Sequence, residues 1–235
     1  MMLESPRLLK LRMSGGSGAV DTFLALNQPW IRDLQLNSVL DIGANSGQYA
    51  LSARAALPHA RIISFEPLPD CYTELSRRMK SDPNFTALNV GLGDQPGELQ
   101  IQRNEFSPAS SFLTLNETHK NAFAFAQRTQ PITVKVERLD DLARNLALTA
   151  PYMAKIDVQG YEDRVLRGGE ATLRGATLLI VEMSYEPLYA GQPLFDQILK
   201  QVCAMGFVFR GAMDQLHCPK TGKLLQADGV FLRQF

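Results

Sequence analysis

The sequence predicts an α/β fold, a doubly wound and mostly parallel sheet that ends in an antiparallel hairpin. Three observations predict it. Short apolar runs alternate with helical patterns from residue 38 to residue 205, the rhythm of βαβ units whose strands are buried on both faces. The first of these runs, "SVLDI", leads into "GANSG", a strand-to-helix turn that carries an acid and two glycines. The last stretch changes character: Phe207 to Arg210 and Val230 to Leu232 read as strands, joined by residues 211–229 without a clear helix.

Taken in order, residues 1–36 form a helical extension, with "SGGSG" (Ser14 to Gly18) as a flexible joint and residues 21–36 helical. This extension is a candidate cap over the acceptor. Ser38 to Ile42 is a buried strand, and Gly47 to Leu57 a helix that stops before Pro58. Arg61 to Phe65 is the second strand, Leu68 to Lys80 the second helix, and Phe85 to Val90 the third strand. Glu98 to Gln102 and Ile132 to Val136 read as extra strands around a polar, Phe-dotted segment, Arg103 to Pro131. That insertion is far longer than the roughly 2–6 residues usual for such connections and marks a candidate lid. Tyr152 to Ile156 and Thr177 to Met183 are buried strands, each followed by a helical stretch, from Glu162 and from Leu194 to Met205.

Composition narrows the function. The chain has 235 residues, 45% apolar and 20% charged, which suits a single soluble domain. Lys plus Arg and Asp plus Glu number 24 each, so there is no basic footprint for nucleic acid. No apolar run approaches the ~20 residues of a membrane span. The three cysteines, Cys71, Cys203 and Cys218, form no CxxC pair, so neither a disulfide framework nor a zinc site is indicated. A cytoplasmic, reduced protein is the default expectation, with oligomeric state left open and a homodimer compatible with it.

Ligands of an open α/β sheet sit beyond the carboxyl ends of the strands, where strand order reverses. Asp41 stands at such an end. Gly43 and Gly47 lack Cβ atoms, and Ala44 and Asn45 complete a turn whose following helix offers free N–H groups. The pattern is not G-x-G-x-x-G, which weakens a nicotinamide-dinucleotide reading. Glu66, with Pro67 after it, ends the second strand 23 residues beyond Gly43, where an acid can accept hydrogen bonds from both ribose hydroxyls. Asn89, Gly91 and Asp94 follow the third strand, placed for an adenine; Asp94 equally suits the turn "GDQPG".

"DIGANSGQYA", "FEPLP", "AKIDVQGYEDRVLRGG" and "IVEMSYEPLY" together resemble the FkbM-type family of S-adenosylmethionine-dependent methyltransferases, over residues 37–235. The resemblance implies a class I, Rossmann-like methyltransferase domain with a seven-stranded sheet, S-adenosylmethionine as cofactor, and O-methylation, often of sugar or polyketide hydroxyls. The family commonly has an acid where this chain has Gln159.

Lys155 and Asp157 lie two apart on one strand, hence on one face, and Asp157 reaches the strand's end beside the cofactor turn. Glu182 ends the next strand. Glu162 is either a third cleft carboxylate or a helix N-terminal acid. Methyl transfer to a hydroxyl needs alignment and removal of a proton. Two schemes fit: Asp157 as general base, or Asp157 and Glu182 holding Mg²⁺ to acidify the hydroxyl. Lys155 is either part of the catalytic group or a salt-bridge partner. His119, in the insertion, is a candidate base that reaches over the cleft. Ser110, Ser111, Tyr185 and Tyr189 are expected to contact the acceptor, a small molecule or glycan. The leading expectation is O-methylation of a sugar or glycan hydroxyl. Its rivals are O-methylation of a polyketide or other small natural product, and a non-catalytic cofactor-binding module.

Overall fold

The computed structural model describes residue 11, residues 18–123 and residues 128–234. Most of the "SGGSG" joint, and residues 124–127 of the insertion, lie outside the described residues. Helix α1 covers residues 18–26 and α2 covers Pro29–Arg32. The expected single helix over 21–36 is thus broken, at Gln28, where the following proline pushes the chain into an extended conformation.

The main sheet has seven strands. They are β1 (Ser38–Ile42), β2 (Arg61–Phe65), β3 (Phe85–Leu88), β7 (Tyr152–Ile156), β8 (Leu178–Ser184), β9 (Phe207–His217) and β10 (Leu224–Arg233), in the order β3-β2-β1-β7-β8-β10-β9. All neighbours from β3 to β8 are parallel, and β10 runs antiparallel to both β8 and β9. Alternate side chains feed two cores, as strand pleating requires. Val39, Ile62, Met153 and Ile180 pack one face with Phe23, Leu26 and Ile31. On that face lie also α3 (Gln48–Ala56) and α4 (Pro69–Met79), through Ala53 and Leu75. Leu40, Phe65, Ile156 and Val181 pack the other, with Val165 and Leu173.

A second sheet, absent from a plain βαβ reading, is made by β4 (Gly91–Leu92), β5 (Gly97–Asn104) and β6 (Thr129–Glu137) in the order β4-β6-β5. The antiparallel β5–β6 pair runs through to Asn104↔Thr129, so the ends of the expected 103–131 insertion are strand. Its interior holds a 3-10 turn (Ser107–Ala109) and α5 (Glu117–Ala122). The remaining helices are α6 (Leu139–Ala143), α7 (Glu162–Gly168), α8 (Glu170–Arg174) and α9 (Phe195–Ala204).

The terminal hairpin corrects the sequence reading most. Residues 211–229 are mostly strand, not a long connection, because β9 and β10 extend far beyond their expected ends. Register shifts at three points, with Gly211 at φ 135° and Asp214 at φ 50°, scramble the alternation by which a strand is recognised. No helix among the described residues is long and apolar enough to cross a membrane.

Candidate active site

Strand order reverses between β1 and β7, and the turns after these two strands touch. Asp157 N–H donates to the Ile42 carbonyl at 3.0 Å. A Cβ at Gly43 would lie 1.8 Å from the Asp157 carbonyl oxygen, so the glycine is required by this contact as well as by its φ of 86°. Gly47, at φ 94°, caps α3 and sits against Leu75.

Glu66 is buried at the end of β2, where Oε2 accepts from Asn45 N–H at 2.7 Å and Oε1 from Leu68 N–H at 2.8 Å. Burial pushes its carboxyl up to about 7. It joins Gly43, Asn45, Pro67 and Gly91 in lining a cleft at the ends of the strands, the usual place for a ligand in an open α/β sheet. Phe65, Leu68, Val90, Leu92, Ile101 and Phe112 supply its apolar walls. Ile101, Ser107, Pro108, Ser110 and Phe112 come from β5 and the insertion.

A second cleft opens on the other side of the Gly43 turn, lined by Asp41, Ala44, Tyr49, Lys155, Asp157 and Asp228. Gly18 and Thr22 of α1 reach it as well. Asp41 accepts from Ser64 Oγ at 2.8 Å, and burial raises its carboxyl to about 6. The Tyr49 hydroxyl is buried without a hydrogen-bond partner. Lys155 Nζ lies 2.9 Å from Asp228 Oδ1 and 3.4 Å from Asp157 Oδ2. Burial alone would lower its amine, but Asp157, Asp228 and Glu182 hold it well above the usual range. Burial likewise raises Asp228 to about 6, and raises Glu182 well above the carboxylate range, helped by Asp157 and Glu162.

The third cleft is lined by Asp157, Gln159, Glu182, Gln226, Asp214 and Asp228, with apolar walls from Phe106, Ala109, Phe123, Leu188 and Leu216. His119 lines it too. It is 5% exposed, its Nδ1 has no hydrogen-bond partner, and burial lowers its imidazole below the usual range. Among the described residues, only Pro108 and Asp157 line all three clefts.

Several expected contacts stand behind the walls instead. Asn89 Nδ2 donates to the Glu66 and Pro67 carbonyls, bracing that turn. Asp94 is ion-paired to Arg167 at 3.0 Å. Ser110 lines the first cleft, not the third, and accepts from Asn104 N–H. Ser111 is buried and donates to the Gln159 carbonyl at 2.6 Å. Tyr185 stacks on Phe195 with centroids 5.1 Å apart. Tyr189 is fully buried and donates to Gln159 Oε1 at 2.7 Å. Glu162 is no cleft carboxylate: buried at the start of α7, its Oε1 accepts from Val158 and Gly160 N–H at 3.0 and 3.1 Å.

The fit to S-adenosylmethionine follows from chemistry. Apolar walls and a carboxylate suit an adenosine; the adjoining polar cleft, with its orphaned Tyr49 hydroxyl, suits an amino-acid end. The fit to Mg²⁺ fails. The Gln159 amide nitrogen stands between the Asp157 and Glu182 carboxylates, and no group of three or more His, Cys, Asp or Glu among the described residues has metal-binding geometry.

Comparison with known proteins agrees with this architecture. A solved magnesium protoporphyrin IX methyltransferase from Synechocystis, with S-adenosylmethionine bound, superposes with a TM-score of 0.52 at 14% identity, over 100% of this chain and 87% of that one. A precorrin-6y C5,15-methyltransferase from Geobacter metallireducens gives 0.50 at 12% identity, over 92% and 87%. These establish the class I methyltransferase fold. Among curated relatives, the 2-O-methyltransferase NoeI of Sinorhizobium fredii is 27% identical over 165 residues, 66% of each chain. The hexuronic acid methyltransferase AglP of Haloferax volcanii is 28% identical over 144 residues, 61% of this chain and 54% of that one. This chain thus covers somewhat under two thirds of the length of these relatives. The model of the methyltransferase FkbM domain matches residues 41–209, from Asp41 near the end of β1 into β9, and the chain belongs to the FkbM methyltransferases.

Proposed function

We propose that the protein is an S-adenosylmethionine-dependent O-methyltransferase acting on a sugar hydroxyl. The observation that carries this reading is Asp157: one carboxylate lines the adenosine-type cleft, the polar cleft and the third, open cleft. In this reading Glu66 and the Gly43–Asn45 turn hold the nucleoside, and Asp41, Tyr49 and Lys155 face the amino-acid end. Bound there, the cofactor supplies an electrophilic methyl on a sulfonium. Asp157 orients the acceptor hydroxyl and takes up its proton, while the walls around it exclude water.

The similarity to NoeI, a 2-O-methyltransferase, supports a hydroxyl acceptor, and the similarity to AglP, a hexuronic acid methyltransferase, supports a sugar. The third cleft adds a charge preference. Asp157, Glu182, Asp214 and Asp228 line it, and no Lys or Arg does among the described residues. An uncharged ring is therefore favoured over a uronate. Phe106, Phe123, Leu188 and Leu216 favour an apolar substituent on the acceptor, which keeps a small natural product as the second reading. The test is S-adenosylhomocysteine formation with matched pairs: methyl glucoside against methyl glucuronoside, and a phenyl glycoside against the free phenol. Turnover of the uncharged glycosides at least tenfold above the uronate is expected. Methylation of the phenol alone would overturn the sugar reading in favour of the second.

A further inference from the structure

Gln159 stands where two carboxylates would otherwise meet. Its backbone is left-handed, with φ at 56°, a conformation uncommon for a residue that carries a Cβ. The turn that imposes it is clamped on both sides. Glu162 Oε1 takes the N–H groups of Val158 and Gly160, and Ser111 Oγ donates to the Gln159 carbonyl. The side chain then has one orientation. The buried Tyr189 hydroxyl donates to Oε1 at 2.7 Å, which turns Nε2 toward the acids. Nε2 donates to Asp157 Oδ1 at 2.7 Å and to Glu182 Oε2 at 3.0 Å. Gln226 Nε2 adds a second amide donor to the same Glu182 oxygen, at 2.9 Å. An amide nitrogen offers two hydrogens to acceptors and no lone pair to a cation. It occupies the point that an ion bridging the two carboxylates would take.

We propose that Gln159 is a positioning residue whose side-chain amide joins Asp157 to Glu182 in place of a divalent cation, fixing Asp157 at the junction of the three clefts. The consequence for methyl transfer, that it proceeds without a metal, rests on the function proposed above; the bridge itself does not.

Two variants test it on the full chain. Gln159→Met keeps the size and removes the donors. Gln159→Glu surrounds the same point with three carboxylates. Mn²⁺ titration followed by electron paramagnetic resonance needs no acceptor. Wild type and Gln159→Met are expected to leave the free-ion signal intact, and Gln159→Glu to take up one equivalent that Asp157→Asn in the same background abolishes. Turnover is then read on methyl glucoside. Wild-type kcat should be indifferent to EDTA. Gln159→Met should lose about 10–100-fold in kcat, as loss of an orienting partner does, with little change in KM for S-adenosylmethionine. Gln159→Glu should recover activity with Mn²⁺. Stoichiometric Mn²⁺ uptake by wild type, lost in Asp157→Asn, would overturn the bridge, as would a Gln159→Met kcat within twofold of wild type. If the glycoside is not methylated at all, the sugar reading falls while the Mn²⁺ titration still decides the bridge.

Discussion

At the scale of single residues, two carboxylates carry separable predictions. Glu66 spends one oxygen on each of two turn N–H groups, and each oxygen keeps a lone pair for a ribose hydroxyl. Glu66→Ala removes both acceptors. S-adenosylmethionine affinity by calorimetry should fall at least about tenfold, since a hydrogen bond to a charged group contributes about 1.5–3 kcal/mol. An unchanged dissociation constant would remove Glu66 from the site. Asp157→Asn is expected to lower kcat by about 10²–10⁴-fold, the usual contribution of a positioned base, and to leave cofactor binding intact. Its amide oxygen can still accept from Gln159. Near wild-type turnover would end the proton-accepting role. Asp41, Glu66, Asp157 and Glu182 were legible because each is an acid directly at or after a short apolar run, and such runs stop at one end of a sheet. Ser111 and Tyr189 were not, because composition names hydroxyls without saying whether another group has already consumed them; here Gln159 takes both.

At the scale of elements, legibility followed burial. β1, β2 and β7 were readable to the residue, since strands covered on both faces are continuous apolar runs bounded by turns. β9 and β10 were not, because bulges and an exposed edge replace alternation with an irregular pattern. Asp214, Gln226 and Asp228 enter the third cleft from these strands and were therefore missed. The segment between β5 and β6 contributes Ser107, Pro108 and Phe112 to the first cleft and His119 and Phe123 to the third. This placement supports a lid role, because one segment then touches both substrates. Trypsin is expected to cut the free protein at Arg128, whose side chain is 85% exposed between the insertion and β6. S-adenosylhomocysteine with methyl glucoside should slow that cleavage severalfold. Equal cleavage with and without the pair would leave the segment a fixed wall.

At the scale of the whole molecule, the site is a store of buried acids in a chain of zero net charge. Burial raises Asp41 and Asp228 to about 6, and Glu66 and Glu162 to about 7. These folded values lie above the unfolded ones of 3.8 for Asp and 4.5 for Glu. Between the two values the folded state keeps protons that the unfolded state has released, so stability falls as pH rises from about 4 to about 7. Asp70 and Glu74, lowered by arginines, act in the opposite sense only below the unfolded range; the His119 imidazole, lowered by burial from 6.5, also opposes the trend below that value, one group against four raised carboxyls. The ligand-free protein should thus melt lower at pH 8 than at pH 5.5, by at least about 2–4 °C for each 1 kcal/mol at this chain length. Glu162→Gln isolates one contributor. The Val158 and Gly160 N–H groups both donate to Glu162 Oε1, and a glutamine oxygen can accept both bonds, so the clamp on residues 158–160 survives. The variant should melt close to wild type at pH 5.5 and above it at pH 8, flattening the profile. Calorimetric scans of both proteins across this range provide the check. Parallel profiles would mean that Glu162 ionises alike folded and unfolded, and a wild-type melting point that climbs from pH 5.5 to 8 would reverse the sign assigned to the buried carboxyls.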